Sequence, residues 1–191
     1  MKTMHLKIST VLLMLLYFIS MDGMAAKADY QQTKSVNKKY KVAQSDKLTI
    51  DNKFGDIKIT TWDKNELEVN ITITVTACSE KEVLKRIDNI DVKIDESADE
   101  KSFKTYFVNE KRNISNGKSE ISIDYEVKMP KTNNLDVENS FGAFIINDID
   151  GRVIAKVKFG SARVGKVSHP DSDLRFEFSD PVEIEHIERS R

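Results

Sequence analysis

One phrase of this sequence occurs twice and then returns twice more in a related form. Residues 48–63 and 135–150 agree in character at eight positions, and the later copies keep most of the same columns. The last three copies are evenly spaced, because Phe141 precedes Phe159 by 18 residues and Phe159 precedes Phe178 by 19. A repeat of this length limits the fold strongly, since one unit can bury its apolar face only by stacking on its neighbours. The matched columns are Leu48, Ile50, Asn52, Phe54, Gly55, Ile57, Ile59 and Trp62; Leu135, Val137, Asn139, Phe141, Gly142, Phe144, Ile146 and Ile149; Ala155, Val157, Phe159, Gly160, Ala162, Val164 and Val167; and Leu174, Phe176, Phe178, Ser179, Val182, Ile184 and Ile187.

Each copy predicts two short strands joined by a bend. Apolar residues alternate before the glycine and again after it, which is the period of a strand with one buried face. The glycine breaks the phase and tolerates backbone angles that other residues avoid, so we expect it to form the corner. Stacking would place Phe over Phe in one buried column. The predicted structural core of the repeat is Phe54, Gly55, Phe141, Gly142, Phe159, Gly160 and Phe178.

The predicted fold class is mainly β, with residues 132–191 as stacked rungs of a β-solenoid. An antiparallel sandwich with similar hairpins is the alternative, because short strands with regular turns fit it as well. The identity of the columns, beyond simple alternation, favours the solenoid.

Residues 46–131 predict a β-rich part that contains one helix, as a strand–helix–hairpin insertion between the first copy and the rungs. Residues 79–82 form a capping box that begins this helix, which we place at 79–90. Its apolar positions fall on one face, at Val83, Leu84, Ile87 and Ile90. Residues 29–45 are polar and lysine-rich and predict a flexible leader.

The first 28 residues have the pattern of a secretory signal peptide. Lys2 and Lys7 precede an apolar run over residues 8–19, and residues 26–28 read Ala-Lys-Ala. The run is shorter than the roughly 20 residues of a membrane span. We therefore expect cleavage after Ala28, no stable membrane span afterwards, and an exported protein of the periplasm, the outer surface or the secreted fraction.

Charge and cysteine content exclude several classes of protein. Without residues 1–28, the chain has 27 basic and 30 acidic residues. It has no basic patch with interleaved aromatic residues, so we expect no binding to nucleic acid. Cys78 is the only cysteine, so no internal disulfide can form, and we expect it to be buried as a small apolar residue.

Local clusters of polar residues predict turns rather than sites. Residues 168–173 contain Ser, His and Asp side by side, whereas catalytic triads assemble from distant segments. Residues 147–151 resemble only the start of a calcium loop. Asp171, Asp173 and Asp180 read as solvated turn acids, and Asn52 and Asn139 as inward residues that bond to the backbone at a corner. We predict no catalytic, cofactor-binding or metal-binding residue, no cofactor, and no enzymatic activity.

Three segments carry a resemblance to a known family. The sequence N-K-F-G-D-I-K-I at residues 52–59, V-K-M-P at residues 127–130, and the repeated Phe-Gly steps resemble exported bacterial proteins with adhesin-like domains of unknown function. The resemblance covers nearly the whole exported chain. It implies a β-solenoid and an envelope or secreted location, and it implies no catalytic residues.

The expected function is that of a non-enzymatic adhesin-like or envelope interaction protein with an unknown surface ligand or envelope partner. A periplasmic scaffold or sensing partner of a regulatory system is the first alternative, and a carbohydrate-active β-helix enzyme is the second. The final rung runs through Val182, Ile184 and Ile187, and residues 188–191 are too few to cover it. We expect either a shortened member of the family or a docking edge, and in both cases self-association through residues 174–187.

Overall fold

A computed structural model describes residues 29–108 and 119–188. The predicted signal peptide and the turn region at 109–118 lie outside the described residues. Within the described part, thirteen strands and one helix follow each other along the chain. They are β1 (Tyr30–Lys41), β2 (Lys47–Asn52), β3 (Ile57–Trp62), β4 (Glu66–Ala77), α1 (Glu80–Ile87), β5 (Ile90–Glu96), β6 (Glu100–Phe107), β7 (Ser119–Pro130), β8 (Asn134–Ser140), β9 (Ala143–Ile146), β10 (Val153–Lys158), β11 (Ser161–Val167), β12 (Asp173–Glu177) and β13 (Val182–Ile187).

The protein is mainly β and consists of two mixed sheets. The seven-stranded sheet has the order β1-β4-β7-β3-β9-β11-β13, and the six-stranded sheet has the order β12-β10-β8-β2-β6-β5. Pairing is antiparallel for β1 with β4, β4 with β7 and β5 with β6, and parallel for the other neighbours. A purely antiparallel sandwich is therefore excluded.

The repeated phrase forms four strand pairs, β2–β3, β8–β9, β10–β11 and β12–β13, which stack in parallel. The first strand of each pair lies in the six-stranded sheet and the second in the seven-stranded sheet. The register is the one that the sequence columns predict. Leu48 lies beside Leu135, Ile50 beside Val137 and Asn52 beside Asn139, and the later copies continue the same columns.

Two strands that the sequence analysis assigns to the insertion, β6 and β7, also extend these columns. In β6, Phe103 lies beside Ile50 of β2, and in β7, Tyr125 lies beside Ile57 of β3. The strands on both sides of residue 131 thus belong to the same two sheets.

The prediction of a flexible leader is wrong for residues 30–41. They form β1, a strand of 12 residues that pairs with β4 along its whole length. Only Val36 and Tyr40 pack against the core from this strand. Its conformation comes from the exposed edge of β4, since pairing with a neighbouring strand overrides a weak local preference.

The helix begins as its capping box predicts. Ser79 is the N-cap, and its hydroxyl accepts a hydrogen bond from the Glu82 backbone N–H at 3.3 Å. The helix ends at Ile87 instead of continuing to residue 90, because Ile90 is the first residue of β5. Val83 and Ile87 are buried, whereas Leu84 is 44% exposed and does not belong to the buried face.

The apolar core lies between the two sheets and thins out towards one end. Inward side chains of β2, β3 and β6 to β11 are almost fully buried. In the last pair, Leu174, Phe176 and Ile187 are only partly buried, and Val182 and Ile184 are exposed. The β12–β13 end of the core is thus open to solvent.

The corners between paired strands bring main chains into close contact. A Cβ atom on Gly142 would lie 1.9 Å from the Gly55 carbonyl oxygen, and one on Gly160 would lie 2.0 Å from the Gly142 carbonyl oxygen. The expectation that glycine supplies the unusual angle holds only at Gly55, with φ at 109°. At the later corners, glycine is required for the close approach.

We expect that Gly142→Ala destabilises the protein by about 3 kcal/mol, because an added methyl group would collide with a backbone oxygen that cannot move freely. Chemical denaturation of both forms measures the change. Ser161→Ala, just past the next corner, is the matched control and should alter the unfolding free energy by less than about 0.5 kcal/mol. Equal stability of Gly142→Ala and the parent protein would contradict the stacked corner.

Candidate functional site

Four phenylalanine rings form a row along one edge of the molecule, with one ring from each copy of the phrase. Successive ring centroids are 5.5 Å apart for Phe54 and Phe141, 5.1 Å for Phe141 and Phe159, and 5.2 Å for Phe159 and Phe178. The rings are nearly parallel, with interplanar angles of 16°, 9° and 4°. The predicted stacking is therefore confirmed. We call these four side chains the phenylalanine row.

The predicted burial of this row is wrong. Phe141, Phe159 and Phe178 are 52%, 51% and 82% exposed, and Phe54 is half-buried. The backbone explains the difference, since φ is 61° at Phe141, 51° at Phe159 and 52° at Phe178. A left-handed residue interrupts the alternation of the strand, so the side chain leaves the core side and points outward.

The left-handed angle is costly for phenylalanine. A bulky L-residue in this region costs about 1–2 kcal/mol, which is why glycine or asparagine is usual there. Stacking returns about 0.5–1.5 kcal/mol for each ring pair. Core packing does not explain why phenylalanine occupies this strained backbone conformation at three successive corners. We therefore take the phenylalanine row as the candidate functional site.

A buried polar column lies on the inner side of the same corners. The Asn52 side chain donates to the Ile123 carbonyl oxygen at 2.9 Å and to Asn139 Oδ1 at 3.2 Å. Asn139 in turn donates to the Gly55 carbonyl oxygen at 3.2 Å. The prediction that these asparagines bond to the backbone at a corner is confirmed. The polar column holds the corners in register beneath the phenylalanine row.

Thr105 and Tyr125 extend this column into β6 and β7. The Thr105 hydroxyl donates to Asn52 Oδ1 at 3.2 Å and lies 2.8 Å from the Tyr125 hydroxyl. Because the Thr105 hydrogen is used by Asn52, the Tyr125 hydroxyl donates to Thr105. Burial raises the pKa of Tyr125 to about 12.

Aspartates fix the backbone at the start of the second strands. Asp124 accepts from the Asp56 backbone N–H at 2.9 Å, and Asp56 accepts from the Ala143 backbone N–H at 2.7 Å. Next to the row, an open groove of about 740 Å³ is lined by Asp56, Phe159, Phe178, Asp180 and Pro181, among others. A phenyl edge, a carboxylate and a proline ring thus face the same solvent region.

The segments predicted as turns connect consecutive strands: residues 168–172 contain a turn, and residues 147–151 are irregular apart from a bridge between Ile149 and Val167. In residues 168–173, His169 Nδ1 accepts from the Asp171 backbone N–H at 3.2 Å, and the Ser172 hydroxyl accepts from the Val153 backbone N–H at 3.0 Å. In residues 147–151, Asp148 accepts from the Lys166 backbone N–H at 2.8 Å.

The remaining acids and the cysteine are not brought together. Asp173 pairs with Arg175 at 2.6 Å, and this hydrogen bond lowers the pKa of Asp173. Cys78 is only partly buried, so the expected full burial is wrong. Among residues 29–108 and 119–188, no group of three or more His, Cys, Asp or Glu side chains is placed to hold a metal ion. Over the same residues, no helix is long and apolar enough to cross a membrane.

No protein-family model and no curated protein matches this chain. Among solved structures it is similar to a "putative cell adhesion protein" from Clostridium sporogenes, with 9% identity and a TM-score of 0.36 over 83% of this chain and 100% of that one. A "putative adhesin" from Bacteroides fragilis has 14% identity and a TM-score of 0.28, over 80% and 76% of the two chains. A "putative lipid binding protein" from Parabacteroides distasonis has 13% identity and a TM-score of 0.27, over 81% and 61%. Similarity at this level assigns no function to this chain.

We expect that Phe159→Ala costs about 1–2 kcal/mol, because the ring loses two stacked neighbours but little buried area. Phe159→Asn should cost less than Phe159→Ala, because asparagine tolerates the left-handed angle. Denaturation of both variants measures this order, and a double-mutant cycle with Phe141→Ala gives the coupling between the rings. A loss of more than about 3 kcal/mol in Phe159→Ala would show that the ring is buried after all.

We expect alkaline pH to weaken the fold through Tyr125. Its pKa rises from an unfolded value of about 10 to about 12, so this stabilisation is complete below pH 10 and falls as pH rises towards 12. The loss should reach about 2–3 kcal/mol for this group. Tyr125→Phe should remove this part of the pH dependence, and Tyr30→Phe, at an exposed tyrosine, is the control. Identical unfolding curves of the parent and Tyr125→Phe between pH 9 and pH 12 would contradict the assignment.

Proposed function

We propose that this protein is an exported, non-enzymatic β-solenoid protein that acts through its surface, as an adhesin-like or envelope interaction protein. The four parallel strand pairs in one register support the solenoid part of the proposal. The basic start, apolar run and Ala-Lys-Ala ending of residues 1–28 support export to the periplasm, the outer surface or the medium.

The exposed phenylalanine row is the observation that carries the proposal. Exposed apolar groups that form a contiguous patch mark interaction sites more often than isolated ones do. Phe178 is the most open member, because one of its faces stacks on Phe159 and no ring of the described residues covers the other. A rigid aromatic ring on a fixed backbone loses little entropy on binding, which suits a contact residue.

The acidic residues support a non-enzymatic protein over a carbohydrate-active enzyme. Such an enzyme needs two carboxyl groups free to act on one bond, about 5–10 Å apart. Asp56 and Asp124, which lie next to the row, accept hydrogen bonds from backbone N–H groups at the corners. Asp173, the first residue of β12, is held by Arg175. Each of these carboxylates has a structural task.

Self-association through the last strand pair is also part of the proposal. β12 and β13 are edge strands of their sheets, and their inward apolar side chains are partly or largely exposed. An open strand edge with apolar residues behind it pairs readily with another strand. The phenylalanine row and this strand edge are different surfaces, and different experiments test them.

The experiment for the row measures binding of the purified, labelled protein to isolated cell envelopes of the source organism. We expect saturable binding that Phe178→Ser weakens about tenfold, as for the truncation of a central aromatic contact. Leu84→Ser is the matched control, because Leu84 is an exposed apolar side chain on α1, away from the row, and this variant should bind like the parent.

Two outcomes would count against this function. Absence of saturable binding would remove the adhesin-like assignment. Equal binding of Phe178→Ser and the parent, with Leu84→Ser weakened instead, would move the contact surface from the phenylalanine row to the region of the helix.

A further inference from the structure

β1 and β13 are the two outer edges of the same seven-stranded sheet. β1 is antiparallel to β4 and β4 is antiparallel to β7, so β1 runs in the same direction as β7. From β7 onward every neighbouring pair is parallel, in the order β7, β3, β9, β11 and β13. β1 and β13 therefore point the same way, and a second copy that is shifted along the sheet without rotation could pair its β1 with β13.

The two edges carry opposite charge. β1 contains four lysines and no acidic residue over Tyr30–Lys41. β13 contains two glutamates and no lysine or arginine over Val182–Ile187. Opposite charges on directly neighbouring strands stabilise pairing, whereas like charges oppose it. Pairing of β13 with a second β13 would bring acidic edges together, so the charges favour β1 as the partner.

The outward faces at both edges already alternate in charge. Lys39 Nζ lies 3.0 Å from Glu68 Oε1, and Lys128 Nζ lies 3.9 Å from Glu68 Oε2. At the other edge, Arg163 Nε lies 2.9 Å from Glu183 Oε2. Placing Glu183 of one copy beside Lys39 of the next would continue the alternation of acid and base across the junction.

Burial and charge select the same register. Even-numbered residues face the core in β1, as Val36 and Tyr40 show. In the first part of β13, Val182 and Ile184 continue the columns of buried Ala162 and Val164, and the phase changes before Ile187, which packs against the core beside Val167. One parallel register pairs residues 182–185 with residues 38–41 and brings two acids beside two bases, while Val182 lies beside Lys38. It places Ile184 beside Tyr40, Glu183 beside Lys39 and Glu185 beside Lys41.

Most lysines of β1 have partners within their own chain. Lys34 lies 3.5 Å from Asp91, and Lys38 lies 3.7 Å from Glu96. Lys39 also lies 3.0 Å from Glu66. Lys41 forms no ion pair within the described residues, and the same is true of Glu185 in β13, so these two groups gain most from a junction.

We propose that copies of this protein associate head to tail, with β13 of one copy pairing in parallel with β1 of the next to extend the seven-stranded sheet. This rests on the self-association in the proposed function and names its second surface. The contact is heterologous, so it leaves a free β1 and a free β13 at the ends and allows further copies to add.

A charge-swap experiment tests this proposal, with sedimentation velocity of the purified protein over a concentration series. Glu183→Lys/Glu185→Lys and Lys39→Glu/Lys41→Glu should each weaken association about tenfold, because both juxtapose like charges at the junction. An equimolar mixture of the two variants should associate again, because every junction between unlike copies then joins acid to base. Raising the salt concentration should weaken the parent assembly.

The milder single variants Glu185→Lys and Lys41→Glu guard against misfolding, because neither residue forms an ion pair within residues 29–108 and 119–188. They should show the same loss and the same rescue on mixing, with thermal unfolding like that of the parent. Association that persists in Lys41→Glu but stops in Glu185→Lys would overturn β1 as the partner and leave the β13 edge in place. A parent protein that stays monomeric at every concentration would overturn both the junction and the proposed self-association.

Discussion

The close contact of main chains at the corners is the constraint on which the rest of the structure depends. The glycines at 142 and 160 bring each corner so near the preceding one that a Cβ would collide with a carbonyl oxygen. The corner hydrogen bonds, such as that from the Phe141 N–H to the Lys158 carbonyl oxygen at 2.9 Å, continue the parallel ladder through the bend. Because the corners fit in one way only, the strands on either side share one register.

This contact also divides the roles of neighbouring residues. Phe141 and Phe159, the residues before these two glycines, take the left-handed angle and turn their rings outward, whereas the residue two positions earlier in each case faces the core. At Asn139 that inward position carries an amide bonded to the backbone, and at Val157 it carries an apolar side chain. Strain on the outer side is thus offset by ring stacking outside and by hydrogen bonds or packing inside.

The register of the stacked strand pairs could be predicted from the sequence, because similar residues occupy the same column in successive pairs. Parallel strands in register place identical columns side by side, so Leu48 beside Leu135 could be predicted from the phrase alone. The exposure of Phe159 could not, because a period of two predicts an inward side chain and the left-handed angle is invisible in the letters. The phenylalanine row was therefore predicted as a core, and its position at the surface emerged only from the structure.

β1 was not predicted as a strand, and β6 was predicted as part of an insertion and not as part of the columns, because neighbouring strands determine the place of both. β1 has only two residues packed against the core, and its conformation follows from the free edge of β4. β6 belongs to the columns, yet it has Lys101 beside Leu48 of β2, and Thr105 follows in the column of Asn52, so its sequence does not resemble the phrase. A signal was present in the spacing of Phe103 and Phe107, which matches that of Ile50 and Phe54.

The polar column ends at Asn139, and this has a consequence for how such a chain can change length. The early copies interlock through specific amide and hydroxyl bonds, so each of them requires particular partners. In the later copies, Val157 and Phe176 need only an apolar neighbour in the same column. Duplication or deletion of one late unit would therefore preserve every interlocked residue and change the length of the stack by one strand spacing, about 4.8 Å. The length of the stack can therefore change at the β12–β13 end while the interlocked strands around Asn52 and Asn139 stay the same.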